Sequence, residues 1–307
     1  MTEEFQQTVQ KVVNLLADHK EDWESRYSQY AKKIQANLEE ITENKREFHN
    51  WSPFRSYMNI SNAKGNMAIS LRYKGQEIAE LKVKKDEVKI STKKFDDKNK
   101  EWFECEIKLD NEDWTSKKST AFRKFFRECE KKVECEKKVK SHERELENLL
   151  KKPKNILGIG IVKIADIYDF QFPTPLSASG KDINYSGKSG GGIDILARDK
   201  SRNLCVMELK DENTSSEPVE KVLKQAIAYA VFLRQLLRSK AGKDWYKLFG
   251  FKGKLPEKLK INVISVMPVG KVGKEKHIPK LLPIENDTLI LKCWYFKKEG
   301  DKIKFSP

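Results

Sequence analysis

The chain has 307 residues, room for one large domain or two modest ones. With 38% apolar and 35% charged residues, it reads as a soluble protein with a lysine-rich surface, and no apolar stretch is long enough to span a membrane as a helix. A net charge of +15 favours a polyanionic partner through counterion release, although a generically basic protein carries the same charge.

From the N-terminus, Phe5, Val9, Val12 and Leu16 recur at helical spacing, and Trp23, Tyr27, Tyr30, Ile34, Leu38 and Ile41 continue the stripe. One or two helices are expected from Glu3 to Phe48, ended by Trp51-Ser52-Pro53. The aromatic stripe is expected to form a core or a partner face. A stacking surface for single-stranded bases would need exposed rings. Met1-Thr2-Glu3-Glu4 lacks the features of a signal peptide.

The period then changes. Met67 to Tyr73 alternates, Lys74-Gly75-Gln76 is a turn, and Ile78 to Val83, Val88 to Ser91 and Trp102 to Leu109 read as strands. Phe95 to Lys100 reads as a polar loop between them. A small antiparallel sheet with one solvated face is expected. Ser119 to Leu150 is strongly helical, with dense Lys and Glu at i, i+4 spacing. Its last turns carry an apolar stripe of Val139, Leu146 and Leu150, and Glu143 falls about 40° from the Val139 direction, toward that stripe. Pro153 closes the helix, and Ile156 to Phe170 supplies a strand.

Phe172 to Ser189 is a loop rich in Pro, Ser and Gly. Gly187-Lys188-Ser189 does not complete a phosphate-binding loop, because Asp182 stands where the first glycine belongs and a strand follows, not a helix. Five cysteines (Cys105, Cys129, Cys135, Cys205 and Cys293) are odd in number and form no Cys-x-x-Cys, so reduced thiols and a cytoplasmic location are expected.

The stretch from Gly190 onward carries the chemistry. Ile193 to Ala197 and Leu204 to Leu209 are short apolar runs separated by Asp199-Lys200-Ser201-Arg202-Asn203, the signature of a hairpin of two buried strands. Buried strands do not carry Asp194, Glu208 and Lys210 without a reason, because an unpaired buried charge is expensive. Two carboxylates converging from adjacent strands make a hard-oxygen site suited to Mg²⁺. Lys210 shares a face with Glu208 by strand alternation. Pro218 then opens a helix whose buried stripe is Val222, Ala226, Tyr229 and Leu233, with Gln225 at its edge and Arg234 and Arg238 as phosphate-contact candidates. A short helix at Trp245 to Gly250, a buried strand at Ile261 to Met267 and a hairpin of Leu289 to Phe296 with Lys302 to Phe305 complete the chain, and His277 reads as a loop histidine.

Asp194, the triplet Glu208-Leu209-Lys210 and the following Gln225-x-x-x-Tyr229 helix resemble the PD-(D/E)XK nuclease superfamily, and the glycine-rich phrase Gly190 to Asp199 is most similar to archaeal-type mismatch endonuclease relatives. Ile193 stands where the usual proline would precede the aspartate. The resemblance covers about the second half of the chain and implies a restriction-endonuclease-like fold. It implies that Asp194, Glu208, the Leu209 carbonyl and Glu143 hold Mg²⁺, with Mn²⁺ able to substitute. It also implies catalytic roles for Asp194, Glu208, Lys210, Gln225 and Glu143. Glu80-Leu81-Lys82 and Glu106-Ile107-Lys108 have the same triplet form but lack the glycine-rich lead-in and the Gln-bearing helix, so both are read as solvated faces.

The expected class is therefore α/β: a mixed central sheet flanked by helices at residues 139–307, preceded by an α+β accessory domain at residues 1–138. The expected activity is metal-dependent hydrolysis of nucleic-acid phosphodiesters, as an endonuclease on DNA. A nuclease fold that grips nucleic acid without cutting it, and a helical interaction protein, are the alternatives. No membrane partner is expected, and a homodimer stays open.

Overall fold

The structure, a computed structural model, describes residues 2–36, 54–59, 67–84, 87–129, 146, 161–163, 172–179, 182–187, 190–212, 217–271, 278–299 and 302–306. The described residues form a mixed α/β protein with six helices. In chain order these are α1 (Thr2–Asp18), α2 (Lys20–Ala36), β1 (Phe54–Asn59), β2 (Met67–Tyr73), β3 (Gln76–Lys84), β4 (Glu87–Ser91), α3 (Asp96–Phe103), β5 (Glu112–Asp113) and α4 (Lys117–Cys129). There follow β6 (Ile161–Lys163), β7 (Phe172–Pro173), β8 (Leu176–Ser177), β9 (Asn184–Tyr185), β10 (Gly192–Ile193), β11 (Ile195–Asp199), β12 (Leu204–Leu209), α5 (Val219–Arg238) and α6 (Gly242–Leu248). The last elements are β13 (Lys260–Pro268), β14 (Leu281–Ile284), β15 (Asp287–Glu299) and β16 (Lys302–Ser306). No described helix is long and apolar enough to cross a membrane.

By internal contacts the chain divides into Met1–Ala36 with Leu149–Pro307, and Asn37–Asn148. This differs from a boundary at residue 138, because α1 and α2 belong with the second half of the chain. Their apolar stripe is the reason. Phe5, Val12 and Leu16 are buried, and α1 packs on α5 while α2 packs on α6. Trp23 and Tyr27 are buried too; Tyr27 donates a hydrogen bond to the Pro173 carbonyl (2.7 Å), and its ring meets Phe232 at 4.9 Å. These two rings form a core, so they offer no stacking surface to bases.

The unit of residues 37–148 holds a five-stranded antiparallel sheet in the order β1-β2-β3-β4-β5. An aromatic core of Phe54, Tyr73, Phe103, Phe122 and Phe126 fills it. Residues 95–109 depart from expectation. Asp96 and Asp97 favour a helix start, and α3 replaces the expected loop, with Trp102 and Phe103 buried in its last turn and Glu104 ending it at φ 57°. Beyond it, burial alternates through Cys105, Ile107 and Leu109, but no strand forms. Leu109 is held instead by Thr92, whose N–H donates to the Leu109 carbonyl (2.8 Å) and whose Oγ1 accepts the Leu109 N–H (2.8 Å).

The other unit is built on a sheet in the order β14-β15-β13-β12-β11-β6, with β16 paired to β15. Its centre, β12-β13-β15, is parallel and its flanks are antiparallel. α5 crosses from β12 to β13 and packs on both, while α1 covers its outer side. That double cover explains why α5 is buried far beyond its Val222, Ala226, Tyr229 and Leu233 stripe.

Arg234 and Arg238 are not free for phosphate. Arg234 Nε donates to Asp287 Oδ2 (2.7 Å) and its Nη2 to Glu285 Oε2 (2.7 Å). Arg238 donates to both Asp287 oxygens and to the Pro256 and Glu257 carbonyls. The pair clasps the end of α5 to the β14–β15 turn.

Candidate active site

The β11–β12 hairpin is set by its turn. Asp199 N–H donates to the Asn203 carbonyl (2.9 Å), Asn203 N–H donates to Asp199 Oδ1 (2.8 Å), and Arg202 takes the left-handed position at φ 62°. The ladder's last pair is Ile195 with Met207, and Asp194 and Glu208 are the next residues beyond it on the two strands. Asp194 lies at the bend where the chain leaves one ladder for another: Gly192 and Ile193 pair with β7, and Ile195 onward pairs with β12. Asp194 Oδ2 accepts the Leu209 N–H at 2.9 Å, which anchors the carboxylate across the hairpin. Asp194, Glu208 and Lys210 are all buried, at 4%, 1% and 8% exposure.

α5 closes the site from above. Gln225 and Tyr229 are one turn apart and both buried. Burial first, and the Glu208 charge next, push the Tyr229 phenol well above its usual value; hydrogen bonds from Gln225 and the Ala178 backbone pull the other way without overcoming them. Tyr229 is therefore a neutral phenol near both Glu208 and Asp194. Gln225 is used on Tyr229, which places it as a support for that ring.

The glycine run has steric causes. A Cβ on Gly190 would sit 2.0 Å from the Thr174 carbonyl oxygen, and one on Gly191 would sit 2.2 Å from the Tyr229 hydroxyl. The first clash is with backbone and admits no relief. The second is with a side-chain tip locked in the core. Gly191→Ala is expected to destabilise the fold by about 1–3 kcal/mol, and Tyr229→Phe in the same chain is expected to recover part of that loss. A urea-unfolding double-mutant cycle measures this; strictly additive effects would mean that the hydroxyl is not the obstacle.

Lys210 has a neighbour in Glu217, which lies just ahead of α5. Its Nζ lies 3.5 Å from Glu217 Oε2, and Lys221 Nζ holds the other oxygen of Glu217 at 2.6 Å. Burial opposes ionisation of Glu217, but the Lys221 hydrogen bond and the Lys210 charge outweigh it and hold the carboxyl below its usual value. Only the i, i+4 spacing of Glu217 and Lys221 was a readable signal. Ser265 was not readable at all. It pairs with Glu208 in the parallel β12–β13 register and is fully buried. Asp211, half-buried, and Glu212, exposed, follow Lys210 directly. Glu143 lies outside the described residues; on its stripe Leu146 is described, and it is buried.

Among the described residues no group of three or more His, Cys, Asp or Glu is gathered as a metal site. The pair Asp194 and Glu208 supplies hard carboxylate oxygens, a donor set that fits Mg²⁺ or Mn²⁺ and is poor for softer metals. No family model, curated protein or solved structure matches the chain.

Proposed function

We propose that the chain is a metal-dependent nuclease of restriction-endonuclease-like fold, acting as an endonuclease on DNA. One observation carries the reading: Asp194 and Glu208, the residues just beyond the last pair of the β11–β12 ladder, are both buried, beside Lys210 and close to Tyr229 of α5. Two buried carboxylates side by side repel, and a cation between them is the simplest reason for the fold to keep both. A divalent ion held by Asp194 and Glu208 would lower the pKa of a bound water and neutralise charge on the scissile phosphate. Lys210 adds a positive charge on the same face, where it stabilises developing negative charge, and Glu217 holds its ammonium in place. Tyr229 stays protonated and keeps α5 seated against the carboxylates. Affinity for the polyanion comes from the basic surface, of which Lys240, Lys243, Lys247, Lys252, Lys254 and Lys258 are exposed along α6 and its flanking loops.

The test is incubation with plasmid, linear and single-stranded DNA in Mg²⁺ or Mn²⁺, beside an Asp194→Ala control. Cleavage by wild type alone supports the reading. Tight binding with no cleavage of any substrate would replace it with a module that grips nucleic acid.

The two other triplets serve as internal controls. Glu80, on β3, is bound to Lys94 at 2.6 Å, and Glu106 is exposed and 3.2 Å from Lys100. Glu80→Ala and Glu106→Ala are expected to leave cleavage within about twofold of wild type, since exposed ion pairs contribute little. Loss of cleavage in a folded Glu106→Ala protein would move the site to the wrong-looking triplet.

A further inference from the structure

Ser265 occupies the middle of β13 with no exposed surface, and its hydroxyl makes no hydrogen bond among the described residues. Its same-face neighbours along the strand, Val263 and Met267, are apolar and fully buried. A buried hydroxyl without a partner lowers stability, and alanine there would fill the same space without that cost. The register says what the hydroxyl is beside. Ser265 pairs directly with Glu208, and paired residues on parallel neighbours project from one face of strands about 4.8 Å apart. Tyr295, two residues beyond the Cys293 that pairs with Ser265, is a second buried hydroxyl on that face with no partner among the described residues. Two buried hydroxyls that no described residue satisfies thus share the face of the sheet that carries one carboxylate of the candidate site.

We propose that Ser265 is a positioning residue for the metal site, its hydroxyl supplying a hydrogen bond to the hydrated cation held beside Glu208. This rests on the metal-dependent nuclease reading. Such an outer contact orients the ligand and the ion's water, and its loss weakens metal binding about ten- to a hundredfold. A purely structural serine has the opposite signature, because its removal leaves metal affinity untouched.

The experiment uses the full chain without nucleic acid. Mg²⁺ and Mn²⁺ are titrated by calorimetry into wild type, Ser265→Ala and Asp194→Ala, and into the isosteric pair Ser265→Thr and Ser265→Val. Thermal unfolding without metal is followed for each. Ser265→Ala is expected to unfold at or above the wild-type temperature yet bind Mg²⁺ about tenfold or more weakly. Ser265→Thr, which keeps a hydroxyl, is expected to bind more tightly than Ser265→Val, which has the same shape. Wild-type affinity in Ser265→Ala, with binding lost in Asp194→Ala, would overturn the role of Ser265 and leave the nuclease reading standing. Metal binding absent from wild type, or unchanged in Asp194→Ala, would overturn both.

Discussion

Asp194→Asn, Glu208→Ala and Lys210→Ala are each expected to lower the cleavage rate of the proposed nuclease by about 10²–10³-fold or more, with nucleic-acid binding and its salt dependence staying close to wild type. The separation follows from where the charges sit. Asp194, Glu208 and Lys210 are buried at the end of one hairpin, so under the proposed function they would act at the reacting phosphate, whereas the salt-sensitive affinity would belong to exposed lysines. Asparagine is the sharper change at position 194. Its side-chain oxygen still accepts the Leu209 N–H, so the hairpin keeps its anchor while the charge is lost. The measurements are single-turnover cleavage and equilibrium binding at several salt concentrations. Wild-type cleavage by Asp194→Asn and Asp194→Ala would remove the site from this hairpin. Parallel loss of binding and cleavage would point to a groove contact and away from chemistry.

Asp287→Ala is expected to destabilise the sheet unit strongly. Asp287 is buried and accepts from Arg234 Nε (2.7 Å), from Arg238 and from the Leu259 N–H (2.7 Å). Its removal leaves Arg234, 5% exposed at its side chain, with Glu285 as its remaining carboxylate, and frees the buried Leu259 N–H. Breaking a buried pair from one side costs about 3–5 kcal/mol. Glu285 and the partial exposure of Arg238 place the expected loss near the lower end of that range. Arg238→Ala, at a wetter position, is expected to cost about 1 kcal/mol. Burial raises the Asp287 carboxyl, but the Arg238 and Leu259 hydrogen bonds outweigh it and hold it below its ordinary value of 3.8. A depressed carboxylate stabilises the fold above that ordinary value, and the contribution is lost as pH falls through the lower folded value. Urea unfolding of wild type and Asp287→Ala is therefore expected to converge in strong acid. A constant gap down to low pH would mean that packing, not charge, carries the effect.

Much of this was legible because burial leaves a period in the chain. Two short apolar runs and a turn rich in Asp, Ser and Asn marked the β11–β12 hairpin, and the 3.6-residue stripe marked α1, α2 and α5. Charges inside an otherwise apolar hairpin marked Asp194, Glu208 and Lys210, because a buried charge is costly unless the fold pairs it. Period records that a residue is covered, not by what. So Cys105, Ile107 and Leu109 alternate like a strand, while the Cys105 N–H bonds to the Asn99 carbonyl and the Leu109 backbone is held by Thr92. Arg234 and Arg238 look like phosphate contacts until Asp287, 53 residues from Arg234, closes on them. Glu217 shows only its i, i+4 spacing to Lys221 until the chain brings it to Lys210, and Ser265 reads as one more residue of a buried strand until the register sets it beside Glu208. By itself the sequence determined which segments are covered and which charges are costly. The partners of those charges, and the glycines that let Tyr229 approach, came only with tertiary structure, because long-range pairing chooses them and no local pattern encodes it.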